Sequence, residues 1–199
     1  MSAKRRKELE KEAHKLGMSF SEKDDWGLIG FLKDFKLFRK GFGKRVTNVM
    51  HAQDDWLKME ARVFDYRYTI HSGKSSRVFR QTVFFMQSKQ LGLPEFLLKP
   101  ENIFHKIGQL LGMQDIDFEE YPAFSNQYLL KGDDEDYIRA TMNDQVLKFF
   151  TVEKNWTLEG VNYYLLFYRN NKLLHPSQIR RFYQKGLKIC EMLSQDKII

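Results

Sequence analysis

The alternation of apolar and polar residues is clearest in residues 62–70, where it predicts a β-strand. One side of this strand carries Phe64, Tyr66, Tyr68 and Ile70, and the other carries Val63, Asp65, Arg67 and Thr69. A period of two with one apolar side is typical of a strand that buries one face. We therefore predict a central strand over about 57–70. A second strand is predicted over 77–87, and the Gly and Ser residues of the loop 71–76 are typical of a hairpin connection.

Two charged residues of the central strand, Asp65 and Arg67, share its less apolar side. Residues two apart in a strand lie on the same face, so these two side chains are able to pair with each other. Cross-strand partners such as Arg80 or Thr82 are the alternative. We interpret both residues as structural, because isolated charge pairs on sheet surfaces contribute little.

Apolar runs continue on both sides of the central hairpin (about 57–87), and helical patterns follow in the second half of the chain. Further strands are predicted over 46–53, 96–99, 128–131 and 163–169, and helices near 101–111, 134–150 and 176–194. Each of these helices starts with a proline or with acidic residues, which favour a helix N-terminus. Antiparallel strands followed by strand–helix units indicate an α+β fold, a mainly antiparallel sheet with helices packed on it.

The first 45 residues are more basic than the rest and helical in pattern. A charged helix is predicted over 4–16 and a second helix over about 23–35. We therefore divide the chain into a basic helical N-terminal arm, residues 1–45, and an α+β domain, residues 46–199. The basic cluster 4–7 lies where positive charge opposes the helix dipole. It is explained either by a solvated chain end or by an electrostatic contact with phosphates or lipid headgroups.

Basic and aromatic residues alternate between positions 31 and 45. The aromatic residues include Phe35, Phe38 and Phe42. The cations are Lys33, Lys36, Arg39, Lys40, Lys44 and Arg45. Such mixtures occur in membrane-surface helices and in nucleic-acid grooves. Alternatively, the Phe side chains pack on the core while the cations cover the outer side. We take these six cations as candidate contacts to an anion or a membrane.

Composition and charge narrow the classes of protein. The chain has 199 residues, of which 42% are hydrophobic and 15% aromatic, as in a globular domain with a large core. Its net charge of +7 favours polyanions or anionic membrane surfaces as partners. A lone cysteine, Cys190, excludes an intrachain disulfide and suits a reducing compartment. Its place on a helical apolar stripe predicts a buried structural thiol rather than a reactive one.

Local signals for catalysis are missing from the sequence. The histidines are scattered without zinc-ligand spacing, and the acidic clusters lack the spacing of a calcium loop. Neither a nucleophile elbow nor a dinucleotide fingerprint occurs. We therefore predict no catalytic residue, no metal site and no cofactor. An enzyme is not excluded, since catalytic sites are assembled in three dimensions.

A succession of short motifs resembles an uncharacterised bacterial protein family with no established activity. The motifs lie at 35–41, Phe64–Tyr68, Leu97–Glu101, Asp115–Phe118, Phe124–Ser125 and Tyr168–Arg169. Many members of that family place transmembrane helices before a basic arm similar to residues 4–15, with this domain in the cytoplasm. The resemblance implies a cytoplasmic protein at the inner membrane. No run of about 18 apolar residues is present in this sequence, so no membrane span is predicted.

Two hypotheses of function follow. The first is a non-catalytic interaction module that contacts a membrane surface or a partner protein through region 31–45. The second is an enzyme or a nucleic-acid binder whose site is assembled across the sheet. We favour the first, because the cations and aromatic residues of region 31–45 suit it and no catalytic motif supports the second.

Overall fold

One antiparallel sheet organises the chain. The computed structural model describes residues 2–54, 59–101 and 115–194. Its strands are β1 (Ser19–Lys23), β2 (Phe42–Asp54), β3 (Met59–Ser72), β4 (Ser75–Ser88), β5 (Leu93–Pro100), β6 (Tyr128–Gly132), β7 (Thr157–Asn162) and β8 (Tyr164–Tyr168). Neighbouring strands are antiparallel, in the order β1-β2-β3-β4-β8-β7-β5-β6. The predicted α+β fold is confirmed.

Helices of very different length accompany the sheet. They are α1 (Ala3–Lys15), α2 (Leu28–Phe31), α3 (Lys36–Arg39), α4 (Pro122–Ser125), α5 (Glu135–Thr141), α6 (Asp144–Val152) and α7 (Ile179–Leu193), the last preceded by a 3₁₀ turn (Pro176–Gln178). The first and last of these confirm the helices predicted over 4–16 and 176–194. The helix predicted near 101–111 lies outside the described residues. Within those residues, no helix is long and apolar enough to cross a membrane.

Two of the predicted helices are wrong. The one over 134–150 is divided into α5 and α6, because the side chain of Asn143 accepts hydrogen bonds from the backbone N–H groups of Gln145 and Val146 and starts a new helix there. The one over about 23–35 is reduced to the single turn of α2. Gly27, with φ of 66°, lies immediately before that turn, and left-handed backbone does not continue a helix.

The central hairpin has an unbroken register from the pair Met59–Ser88 to the pair Ser72–Ser75. Its second strand is longer than predicted, and both strands are buried on both faces, not on one. Phe64 and Tyr66 lie in one apolar core, whereas Val63 lies in the other. The expectation of a single buried face is wrong because both sides of the sheet are covered by other parts of the chain.

The two cores define two faces of the sheet. The first face, on the side of Val63, is covered by α1, α5, α6 and α7. These helices contribute Leu9, Ala13, Ile138, Leu147, Phe150, Phe182 and Ile189. The second face, on the side of Phe64 and Tyr66, is covered by the segment around α2 and α3. That segment contributes Leu28, Leu32, Phe35, Leu37 and Phe38. Residues 2–45 thus pack on both faces of the sheet.

The sequence pattern does not predict strands β1 and β7. The residues of β1 are mostly polar and at least partly exposed, so they show no apolar alternation. Tyr163 alone separates β7 from β8, and Asn162, the last residue of β7, has a φ of 51°. Asparagine is one of the residues that tolerate the left-handed backbone of a tight hairpin turn. Asn162 is therefore the residue in the sequence that indicates the hairpin of β7 and β8.

Gly186 is fixed by the packing of α7 on the first face. A Cβ at this position would lie 2.5 Å from the ring of Phe84, which is fully buried. We expect Gly186→Ala to destabilise the protein by about 1 kcal/mol, because overpacking costs about 1–3 kcal/mol and exceeds the helix-propensity gain of about 1 kcal/mol. Urea unfolding followed by circular dichroism measures this difference. Gly30→Ala is the control, since a Cβ there has nothing within 4 Å. Equal stability of the two variants would contradict the prediction.

Candidate functional site

Residues 24–40, here called the crossing segment, pass over the second face of the sheet. The segment starts at Asp24, whose carboxylate accepts hydrogen bonds from the N–H groups of Leu28 and Ile29 at 2.9 and 3.4 Å. Its apolar side chains point into the second core, as the docked alternative for region 31–45 requires. Phe38 stacks on Tyr66 with ring centroids 4.3 Å apart. The segment is therefore a fixed part of the fold that presents its other side to solvent.

A buried carboxylate of β7 attaches α3 to the sheet. Glu159 accepts hydrogen bonds from the backbone N–H groups of Lys36 at 2.6 Å and Leu37 at 3.1 Å. The hydroxyl of Tyr168 donates a third hydrogen bond to it at 2.7 Å. Glu159 is 2% exposed. This carboxylate provides the acceptors that the first two N–H groups of α3 would otherwise lack.

Burial governs the protonation of the groups around Glu159. It raises the pKa of the Glu159 carboxyl, although the hydrogen bond from Tyr168 and the ammonium of Lys40 oppose that shift. Burial also lowers the pKa of Lys40, against the attraction of Glu159. The pKa of Tyr68 is raised to about 12 by burial and by the charge of Glu159. Lys40 is thus half-buried beside a carboxylate, with less freedom to reach a partner than an exposed lysine.

The six predicted cations lie in different surroundings. Lys33 and Arg39 are exposed on the outer side of the crossing segment, and Lys36 is half-buried beside Glu95 at 3.2 Å. Lys40 faces Glu159, and Lys44 is half-buried in β2. Arg45 is exposed. It lies on the first face, because it is the direct partner of Arg67 across β2 and β3. Lys33, Lys36 and Arg39 are therefore the predicted cations of the crossing segment that do not face Glu159.

Two exposed aromatic rings accompany these three cations. Trp26 is 40% exposed and Phe31 is 48% exposed. The edge of Phe31 packs against Tyr164 and Phe85, with centroids 5.4 and 5.9 Å apart. The guanidinium of Arg62 lies 5.7 Å from the Trp26 ring and 5.9 Å from the ring of Phe85, which is buried and also contacts Phe31. Trp26 and Phe31 are therefore connected indirectly, through Arg62 and Phe85, into one patch. Region 31–45 is thus both a core element and a surface with exposed cations and aromatic rings.

A third exposed ring, Phe42, lies elsewhere. It is 46% exposed and stacks on His71 with centroids 4.4 Å apart. Phe42 pairs with Thr69 near the end of β3, whereas Trp26 lies beside His51 and Arg62, near its beginning. Phe42 is therefore not part of the patch formed by Trp26 and Phe31. Closeness in the chain groups Phe42 with the predicted site, whereas Trp26 lies outside region 31–45 and is not predicted by its pattern.

The basic cluster 4–7 is partly buried rather than fully solvated. Arg5 binds Asp65 through two hydrogen bonds of 2.8 Å and donates a third, of 2.7 Å, to the carbonyl of Leu174. Arg6 pairs with Glu22 at 2.6 Å. Asp65 therefore pairs with a residue 60 positions away and not with Arg67, while its predicted partner Thr82 is confirmed at 3.0 Å.

Elsewhere the described residues offer a cleft of about 880 Å³ between α6, α7 and the ends of β3 and β4. Its apolar lining consists of Met59, Met86, Leu91, Leu187, Cys190 and Met192. Cys190 is buried, as predicted, and burial raises the pKa of its thiol, so the neutral form dominates. In the parts of the chain that the structure describes, no group of three His, Cys, Asp or Glu residues is placed to hold a metal ion.

Comparison with known proteins gives one finding on the fold. No protein-family model matches the chain, and no curated protein matches it. The bacterial family resemblance therefore stays a prediction. Among solved structures, the crystal structure of the mycobacterial trehalose monomycolate transport factor A, TtfA, has a similar fold. Its TM-score is 0.63 at 11% sequence identity, over 96% of this chain and 93% of that one. At this level of identity, the similarity concerns the fold alone.

Proposed function

We propose that this protein is a non-catalytic module that binds an anionic membrane surface through the outer side of the crossing segment. Lys33, Lys36 and Arg39 would contact lipid headgroups, and Trp26 and Phe31 would enter the interface. The observation that carries the proposal is the patch of two exposed aromatic rings in the same fixed segment as these cations. Elements that lie in a membrane interface usually combine Lys and Arg with aromatic or apolar anchors.

The magnitudes favour a measurable membrane affinity. Each Lys or Arg near an anionic surface contributes about 1 kcal/mol, so three cations give about 3 kcal/mol before salt screening. Aromatic side chains add an apolar contribution that salt screens little. A module without catalytic groups also agrees with the fold comparison, since the protein of similar fold is named as a transport factor.

Vesicle co-sedimentation at low salt tests the proposal. We expect the protein to bind vesicles containing phosphatidylglycerol and not vesicles of phosphatidylcholine alone, with loss of binding as salt rises. Replacing Lys33, Lys36 and Arg39 together with Gln should lower the partition coefficient about a hundredfold, from about 1 kcal/mol per cation. The control replaces Lys74, Lys148 and Lys188, which are exposed and outside the crossing segment, and removes the same charge.

The control decides between local contact and overall charge. If both triple variants lose binding equally, only the net charge matters and the assigned surface is wrong. If the unchanged protein fails to bind anionic vesicles at low salt, the membrane function itself is wrong, and a protein partner for the same surface becomes the favoured reading.

A further inference from the structure

Three arginines lie side by side on the first face of the sheet. Arg45 on β2 is the direct partner of Arg67 on β3, which in turn is the direct partner of Arg80 on β4. Direct partners in antiparallel strands project to the same face, with Cβ atoms about 5 Å apart. Alternation along β3 puts Arg67 on the side of Val63 and Asp65. This arginine row is therefore on the opposite face from the crossing segment.

The row has like charges directly opposite one another, which destabilises a sheet. Within residues 2–54, 59–101 and 115–194, none of the three guanidinium groups forms an ion pair with a carboxylate. The Nε of Arg67 is buried without a hydrogen-bond acceptor. An unpaired buried donor on a charged group is costly unless something fills the position. The row thus has three cations and an unused donor.

The carboxylate closest along β3 on the same face is Asp65, and it is already occupied. Its two oxygens accept hydrogen bonds from Arg5, Asn48 and Thr82, at 2.8 to 3.0 Å. Arg5 alone takes both oxygens in a bidentate pair. Asp65 therefore does not neutralise the arginine row.

The N-terminus of α1 points toward the same end of the sheet. Arg6 pairs with Glu22 on β1, while the chain leaves the other end of α1 to enter β1 at Ser19, which pairs with His51 on β2. Helix α1 thus runs antiparallel to β1, and its first residues are directed toward the part of β2 that holds Arg45. The positive end of a helix dipole adds to the field of the row.

We propose that Arg45, Arg67 and Arg80 form a binding site for a phosphate-type oxyanion. Guanidinium groups donate paired N–H bonds to phosphate oxygens and are always charged, and a sheet holds their backbone positions fixed. Two strand spacings make the row about 10 Å wide, enough for a diphosphate or a phosphodiester. Such a group occurs in free phosphate compounds and in lipid headgroups. The site is separate from the membrane surface proposed above, so either can fail without the other.

Pyrophosphate is the probe for this site. We expect it to raise the midpoint of thermal unfolding above the value in sodium chloride of equal ionic strength. Calorimetric titration should show that Arg67→Gln weakens pyrophosphate binding at least about tenfold, since hydrogen bonds to charged groups are among the strong ones. Arg77→Gln is the control, because Arg77 pairs with Ile70 on the same hairpin but projects to the second face. The Arg77→Gln variant should bind pyrophosphate as tightly as the unchanged protein does.

Stability without the anion separates a binding role from a structural one. In low-salt buffer free of phosphate, Arg67→Gln should leave the protein as stable or make it more stable, because repulsion across the strands is removed. If Arg67→Gln instead destabilises the protein, and pyrophosphate acts no differently from chloride, Arg67 is a structural residue and the proposal is overturned.

A second titration identifies the source of the phosphate. Monomeric dihexanoyl phosphatidylglycerol is compared with pyrophosphate on the unchanged protein and on the variant that lacks all three arginines. Tighter binding of the short-chain lipid assigns the site to a headgroup, and tighter binding of pyrophosphate assigns it to a free phosphate compound. Both results require the three arginines. Binding of neither probe, or equal binding by the triple variant, overturns the proposal.

Discussion

Replacing Asp65 with Ala is expected to destabilise the fold by about 3–5 kcal/mol, the usual cost of removing one partner of a buried ion pair. Asp65 is 1% exposed and its partner Arg5 is 14% exposed. Without the carboxylate, the guanidinium of Arg5 would be left in the sheet with only the carbonyl of Leu174 as a strong acceptor. Asn48 and Thr82 would each lose an acceptor as well.

Chemical unfolding of the variant and of a matched control measures this cost. Glu135→Ala is the control, because Glu135 also binds an arginine, Arg139, through two hydrogen bonds, but both side chains are at least 40% exposed. We expect this exposed pair to contribute less than about 1 kcal/mol. If Asp65→Ala costs no more than Glu135→Ala, the pair of Arg5 and Asp65 does not anchor α1.

A double variant shows where the Asp65 penalty comes from. Arg5→Met removes the charge that Asp65→Ala leaves unpaired, so the double variant should be more stable than Asp65→Ala alone. Strictly additive losses would mean that the two residues act independently.

Glu159→Ala is the second large effect, with an expected loss of about 3 kcal/mol. The N–H groups of Lys36 and Leu37 and the hydroxyl of Tyr168 would lose their acceptor, and an unsatisfied buried group costs about 1–3 kcal/mol. Relief of a buried charge offsets part of this cost. Glu159→Gln keeps the shape and one acceptor oxygen, so it should be less destabilising. Equal losses for the two variants would exclude the hydrogen bonds as the cause.

The same residue gives a pH dependence whose sign follows from its burial. The pKa of Glu159 is raised in the folded state above its unfolded value of about 4.3, so the folded state binds more protons in the interval between the two values. The stability from this group is complete below the unfolded pKa and is lost as pH rises through the folded pKa. Glu159→Gln cannot titrate, so it should gain stability relative to the unchanged protein as pH rises. Unfolding of both proteins from pH 4 to pH 8 tests this sign.

The central hairpin was predictable because its signal is local. Phe64, Tyr66 and Tyr68 alternate with more polar residues, and the loop at Gly73 has turn composition. Burial of both faces was not predictable, because it depends on α1 and the crossing segment packing from opposite sides. Asp65 looked like a surface residue for the same reason. Its main partner, Arg5, precedes it by 60 residues.

The candidate site could be predicted only in part. The mixture of basic and aromatic residues located region 31–45. The alternative in which its Phe side chains pack on the core is correct for Phe35 and Phe38. Excluding Lys40 and Arg45 from this surface required knowing that Glu159 faces α3 and that Arg45 opposes Arg67. Both depend on strand pairing, and the register of β2 shifts between Phe42 and Arg45. A single shift of this kind reverses the face of every later side chain.

Membrane entry of Trp26 is the most direct test of the proposed function. Trp26 is exposed in the free protein, whereas Trp156 is buried against Phe167 and Phe182. The difference in fluorescence between the unchanged protein and Trp26→Phe therefore isolates the emission of Trp26. We predict that phosphatidylglycerol vesicles shift this emission to shorter wavelength and that brominated lipids quench it. Vesicle binding without either change, or no binding at low salt, would contradict the assignment of this surface to a membrane.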